Sequence, residues 1–264
     1  MNAATKCIRC ERCLDVCGRS RGAIEITGGG PVLHLDKCNK CGHCVAVCPK
    51  DAIDHPLSPI QPKIMPLPSY EQAENYLRSV RSIRLYKPET IPQDQMRKLV
   101  DIGRYPQTGG NAQGVSYLVL EGREKVLKLI DVFCKAADEF CPKNPDLSWI
   151  ANCVRQYRET GEDGLFRGCT SLIFALMKRH DTRKENAYFS LTFIALMAPV
   201  MGYGTCWAGI FERLACDSAY AKPFEEYLGI PEDKCIGGVL MAGIPDVAFN
   251  RLVARDPLDI TFKF

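Results

Sequence analysis

The 264-residue sequence predicts an α+β protein in two parts: a small cysteine-rich module, then a larger domain in which a mixed sheet is flanked by helices. Three observations carry this expectation. A four-cysteine pattern occurs twice before residue 50, a proline-dense strap follows it, and the rest of the chain alternates helix-period segments with short β-branched or apolar runs.

The cysteine pattern is "CIRCERCLDVC", with Cys7, Cys10, Cys13 and Cys17, and it returns 31 residues later as "CNKCGHCVAVCP", with Cys38, Cys41, Cys44 and Cys48. Cubane iron–sulfur clusters are held by four thiolates, and three closely spaced cysteines reach three corners of one cube. The fourth ligand then comes from the other motif. Cys7, Cys10, Cys13 and Cys48 are expected to hold one [4Fe–4S] cluster, and Cys38, Cys41, Cys44 and Cys17 the other, so that the metals tie together a segment too small to build its own core. Structural zinc takes two separated ligand pairs, which is not this pattern. Residues 1–55 resemble bacterial two-cluster ferredoxins. The first motif departs in lacking the proline of "CPKDAI" and in carrying two extra residues, "CGRSRGAI".

Composition excludes several function classes. Hydrophobic residues at 46% and charged residues at 25% are ordinary for a folded soluble chain, and a net charge of +3 offers no reason to expect nucleic acid or an anionic membrane as partner. Fifteen cysteines, with the first expected ligand at residue 7 and no room before it for an apolar leader, point to a reducing, cytoplasmic setting. The other seven, Cys134, Cys141, Cys153, Cys169, Cys206, Cys216 and Cys235, read as small buried hydrophobes. Residues 186–211 are uncharged over the length of a membrane span, but Pro199, Gly202, Gly204 and Gly209 interrupt them. A buried helix ending near Gly202, then a glycine-rich turn, is expected there.

The strap "HPLSPIQPKIMPLPSY" favours an extended spacer, at about 3.1 Å per residue. It separates a cluster domain (1–55) from a second domain (70–264), with 56–69 as linker. After it come a helix opened by Ser69, a second from Pro92 to Gly103, a strand at 115–122, helices at 123–140 and 146–158, a strand at 171–177, helices at 186–201 and 218–228, and a strand at 235–245. The sequence contains no G-x-G-x-x-G after a strand, no P-loop and no G-x-S-x-G. The four histidines, His34, His43, His55 and His180, read as surface residues.

"VRSIR" gathers Arg81, Ser82 and Arg84, donors suited to a phosphate. With "YPQTGGNAQ", "GYGTCWAGIF" and "ARDPLDITF" in this order, residues 70–264 resemble flavin-dependent nitroreductases. Val80 stands where that family often has arginine, and Gln107 and Gly114 where it often has proline. The resemblance implies FMN at the interface of an intertwined homodimer. Arg81, Ser82, Arg84 and Arg255 are expected at its phosphate and ribityl end, Thr108, Asn111 and Gln113 on it from the other subunit, and the backbone of Trp207, Ala208, Gly209 and Ile210 near N5. Electrons would then pass from a donor, reduced ferredoxin or NAD(P)H, through two clusters to FMN and on to a small organic acceptor such as a nitroaromatic, quinone or enone. An alternative is an electron relay between proteins with no small-molecule substrate. No catalytic side chain is identified.

Overall fold

The computed structural model describes residues 6–263, and the chain divides into two compact units. The first runs through Leu67 and takes in Thr108–Ala112; the second comprises Pro68–Gln107 and the chain from Gln113 on.

In the first unit two short helices, α1 (Arg12–Cys17) and α2 (His43–Val47), flank a hairpin of β1 (Ile24–Thr27) and β2 (Gly30–Leu33). The pairing of Thr27 with Gly30 leaves Gly28 and Gly29 as a two-residue turn, braced by Thr27 Oγ1 donating to the Gly30 carbonyl at 3.0 Å. "GGG" is therefore a hairpin turn, a use of glycine that the sequence reading did not assign. Ile24, Cys44, Val45 and Ile53 form a core of a few side chains. Such a core is too small to hold a fold unaided.

The second unit opens with α3 (Tyr70–Ser79), capped as Ser69 predicts: its Oγ accepts from Gln72 N–H, and Gln72 Oε1 accepts from Ser69 N–H. Next come α4 (Gln93–Asp101), β3 (Ser116–Glu121), α5 (Arg123–Phe140), α6 (Ser148–Thr160), β4 (Ser171–Lys178), α7 (Glu185–Val200), β5 (Gly204–Trp207), α8 (Gly209–Ala215), α9 (Lys222–Leu228) and β6 (Lys234–Gly243). The strands form one sheet in the order β3-β4-β6-β5, each neighbouring pair antiparallel.

Side chains alternate across β4. Leu172, Phe174 and Leu176 pack with α5, α6, α8 and α9, whereas Ile173, Ala175 and Met177 pack with α4 and α7. Helices thus cover both faces, which explains why β4 reads as an unbroken apolar run rather than an alternating one. A bulge shifts the register of β6 between Gly238 and Ile236. It leaves Gly237 unpaired where a Cβ would lie 2.7 Å from Ala187 Cβ, and it puts Ile236 on the same face as Val239 despite their odd spacing.

Helix α7 ends in a Schellman turn: Gly202 lies at φ 80°, Tyr203 N–H reaches the Ala198 carbonyl at 2.8 Å and Gly202 N–H the Pro199 carbonyl at 3.1 Å. The turn is shorter than the sequence suggests. Gly204–Trp207 is the edge strand β5 and Gly209–Ala215 a helix, where a glycine-rich turn was expected. Among the described residues no helix is long and apolar enough to cross a membrane.

Candidate functional site: two cysteine-lined cavities and an arginine-bearing segment

The cysteine repeat is also a repeat of backbone conformation. Arg9 and Lys40 lie at φ 53° and 61°, and Glu11 and Gly42 at 57° and 73°, each pair separated by the same 31 residues as the cysteines. Left-handed backbone at Arg9, Glu11 and Lys40 is costly for residues with a Cβ. Its return is a turn that aims peptide N–H groups at sulfur: Arg9 N–H reaches Cys7 Sγ at 3.4 Å and Lys40 N–H reaches Cys38 Sγ at 3.3 Å. Ala52 N–H adds a bond to Cys48 Sγ at 3.3 Å. These donors suit thiolates, the form in which cysteine binds iron.

Two cavities lie in this unit. One, of about 20 Å3, is bordered by Cys7, Cys10, Cys13 and Cys48 with Ile8, Ile26 and Ile53; the other, also of about 20 Å3, by Cys17, Cys38, Cys41 and Cys44 with Ile24, Leu33 and His55. Each set takes three thiols from one motif and one from the other. Among the described residues no three Cys, His, Asp or Glu side chains converge on a single-ion site. Thiols spread around a cavity suit a cubane, whose irons occupy separate corners, better than one zinc ion. Without metal the burial of these thiols is a cost, since it pushes Cys44 up to about 11 and raises Cys13 and Cys17 as well. Iron that binds thiolate offsets it.

His55 was expected at the surface and is 2% exposed. Its Nε2 lies 3.3 Å from Cys38 Sγ and its Nδ1 accepts from Leu57 N–H at 3.1 Å. Only its place just past the second motif hinted at this. Of the other seven cysteines, Cys134, Cys141, Cys169 and Cys206 are buried as expected, whereas Cys153, Cys216 and Cys235 are half-buried. Burial pushes the Cys169 thiol up to about 12 and raises Cys134, Cys141, Cys216 and Cys235, leaving neutral thiols of low reactivity.

In the second unit, residues 83–87 lie across the ends of β5 and β6. Ile83 N–H bonds the Thr205 carbonyl at 2.9 Å, Lys87 N–H the Ile244 carbonyl at 2.9 Å, and Asp246 N–H the Leu85 carbonyl at 3.0 Å, with Tyr86 bridged to Pro245. Ile83 and Tyr86 are half-buried, whereas Ser82, Arg84 and Leu85 are exposed. Arg81 turns back to donate to the Arg78 carbonyl. Among the described residues neither Arg81 nor Arg84 has a carboxylate within ion-pair distance. Two guanidinium groups and a hydroxyl without an internal anion make a donor set that fits a phosphate.

At the other end of β5, Trp207 Nε1–H donates to Glu212 Oε2 at 2.6 Å, and Glu212 Oε1 accepts from Val239 N–H. Ala208 N–H meets the Val239 carbonyl at 3.0 Å. Glu212, which the sequence reading missed, thereby clamps the Trp207–Ile210 turn; burial raises its pKa, and the two donors pull it back. A carboxylate inside the apolar stretch "GIFERLA" was the available signal. Gly209 is exposed, and Ala208 is buried.

Of the remaining expected residues, Thr108 and Asn111 belong to the first unit and Gln113 and Arg255 to the second. Asn111 Nδ2 donates to the Asn39 carbonyl at 2.8 Å within the first unit, so its amide is committed beside Cys38. Thr108 is half-buried in the same loop, and Gln113, at φ 47°, is exposed. Arg255 lies in an exposed C-terminal segment, its guanidinium on the Ala254 carbonyl at 3.2 Å. One chain does not bring Arg255 into hydrogen-bond contact with residues 81–84.

Similarity to known proteins follows the same division of the chain. Residues 6–52 match the 4Fe-4S dicluster domain, and residues 77–244 match the nitroreductase family. A relative from Archaeoglobus fulgidus, whose name pairs NADH dehydrogenase with NAD(P)H nitroreductase, is 22% identical over 66% of this chain and 86% of its own. A component of the ion-translocating oxidoreductase complex of Methanosarcina acetivorans is 42% identical over 48 residues, 18% of this chain and 17% of its own length. A nitroreductase with bound FMN from Bacteroides fragilis shares the fold at a TM-score of 0.58, with 16% identity over 72% of this chain and 99% of its own. With its helix-flanked sheet and most of its length matched, this chain belongs to the nitroreductase family and carries a 4Fe-4S dicluster domain ahead of the nitroreductase fold.

Proposed function

We propose that this protein is a homodimeric, FMN-dependent oxidoreductase. It takes electrons singly at two [4Fe–4S] clusters and passes them to a small organic acceptor such as a nitroaromatic, quinone or enone. The observation that carries the reading is the pair of four-thiol cavities on the same chain as a nitroreductase fold. Iron–sulfur clusters supply one-electron steps, and a flavin converts these into two-electron chemistry.

The chain's own residues bind, orient and insulate. Cys7, Cys10, Cys13 and Cys48 hold one cluster, and Cys17, Cys38, Cys41 and Cys44 the other, with Arg9, Lys40 and Ala52 N–H groups on their sulfurs. Arg81, Ser82, Arg84 and Arg255 would bind the FMN phosphate and ribityl end. Glu212 fixes the Trp207–Ile210 backbone that would flank the flavin ring, while Thr108, Asn111 and Gln113 would face it from the other subunit, Asn111 once its amide leaves the Asn39 carbonyl. Dimerisation is supported by uncovered apolar surface: Phe189, Phe193 and Val200 on α7 are 51%, 37% and 66% exposed, and Leu258 and Ile260 in the C-terminal segment 81% and 56%.

The test is an anaerobic absorbance titration of protein with iron and FMN quantified, comparing reduced ferredoxin with NADH and NADPH. Flavin bleaching by ferredoxin, lost in Cys7→Ser, is expected. Rapid bleaching by NAD(P)H with the clusters left oxidised would refute electron entry through the clusters. A reduced protein that turns over nitroaromatics, quinones and enones no faster than free reduced FMN would refute the small-acceptor assignment.

A further inference from the structure

We infer that His55 is a positioning residue for the second cluster: its Nε2–H donates to Cys38 Sγ and raises that cluster's reduction potential. The inference rests on the two-cluster reading above.

The tautomer follows from the surroundings. Leu57 N–H points at Nδ1 from 3.1 Å, so Nδ1 presents a lone pair, and a neutral imidazole then carries its proton on Nε2. Nε2 is 3.3 Å from Cys38 Sγ, and a thiolate there can only accept. At 2% exposure the ring is shielded from bulk solvent. The loop that carries it is fastened at both ends: Ser58 N–H bonds the His55 carbonyl at 3.1 Å, and Ser58 Oγ donates to the Lys40 carbonyl at 3.0 Å. Ring and Lys40 N–H therefore converge on one sulfur.

Comparison of the two motifs isolates the histidine. The peptide donors Arg9 N–H to Cys7 and Lys40 N–H to Cys38 belong to the repeat, whereas His55 does not. The first set has its own added donor, Ala52 N–H to Cys48, but that is a peptide group. Among the described residues His55 is the one side chain that hydrogen-bonds a motif cysteine's sulfur. Reduction adds one electron, and with it negative charge, to cluster and thiolates. A donor on sulfur stabilises that charge, so the potential rises.

The experiment is iron and sulfide analysis followed by an EPR-monitored redox titration of the full-length wild type, His55→Phe and His55→Gln. In His55→Phe, at the potential where the wild-type second cluster is half reduced, the reduced-to-oxidised ratio should fall about tenfold, ~59 mV for one electron. The first cluster should not move, and the glutamine amide should restore part of the shift. Nitrogen-15 NMR of histidine-labelled wild type, oxidised, should find His55 protonated at Nε2 and bare at Nδ1. That reading stands even if His55→Phe fails to load iron. Unchanged potentials in a fully loaded His55→Phe, or a proton on Nδ1, overturns the inference. Wild type that binds iron in less than two-cluster amount overturns the reading beneath it instead.

Discussion

Ile83 closes over Gly204 so tightly that a Cβ built on the glycine falls 2.7 Å from Ile83 Cγ1 and 2.8 Å from Cβ and Cγ2. The contact clamps the exposed Ser82 and Arg84 to the sheet edge, helped by Ile83 N–H on the Thr205 carbonyl. Gly204→Ala must push the segment outward. An overpacked contact of this kind costs about 1–3 kcal/mol. Flavin fluorescence titration of the apoprotein should show at least tenfold weaker FMN binding in Gly204→Ala, alongside a thermal midpoint lowered by a few degrees. Unchanged FMN affinity would detach Ser82 and Arg84 from the phosphate site.

This contact also shows what the sequence could not disclose. Helix α5, Arg123–Phe140, and strands β3 and β4 were legible within a residue or so, because their periodicity and apolar runs are local properties. Gly204–Trp207 was not, since Gly204 is glycine for the sake of a side chain 121 positions earlier in the chain, and locally such a glycine signals a turn. His55 was missed for the same reason: its burial comes from Cys38 and Leu57 together, not from its neighbours' pattern. The cysteine repeat was legible because its spacing, like the left-handed turns that recur with it, is a local property of the chain.

The crossed cavities predict crossed phenotypes. Cys48→Ser should perturb the same Mössbauer and EPR component as Cys7→Ser, although Cys48 belongs to the other motif, and Cys17→Ser should perturb the component altered by Cys38→Ser. Full loss of one cluster would take iron from about eight to about four per chain. If Cys48→Ser instead grouped with Cys38→Ser, each motif would hold its own cluster.

Glu212 accepts two N–H bonds with its two carboxylate oxygens, from Trp207 and from Val239. Glu212→Gln keeps one acceptor and turns an NH2 group toward a donor, a buried loss of about 1–3 kcal/mol. The penalty depends on pH. Burial raises the folded-state pKa of Glu212 above its ordinary 4.5, so between the two values the folded form binds more protons than the unfolded one. The carboxyl's contribution is thus fullest below about 4.5 and declines as pH rises through the folded-state value. Urea midpoints from pH 4 to 7 should show the gap between wild type and Glu212→Gln narrowing as pH increases. A gap that widens would mean the two donors outweigh burial.

Arg255 should separate assembly from cofactor binding in the proposed dimer. From Asp246 onward the described chain has no regular structure, and Phe249, Leu258 and Ile260 are 53%, 81% and 56% exposed. Apolar side chains in that number need a surface, and a second copy of the chain supplies one if the segments exchange between subunits. Deleting residues 250–264 should therefore convert a dimer of 29.5 kDa chains to monomer in sedimentation and release FMN. Arg255→Ala should leave the dimer intact, because among the described residues its guanidinium meets only the Ala254 carbonyl, yet weaken FMN about tenfold, ~1.4 kcal/mol, for one lost phosphate contact. A truncated chain that stays dimeric would place the interface on α7 alone, and an Arg255→Ala dimer with full FMN affinity would leave the phosphate to Arg81, Ser82 and Arg84.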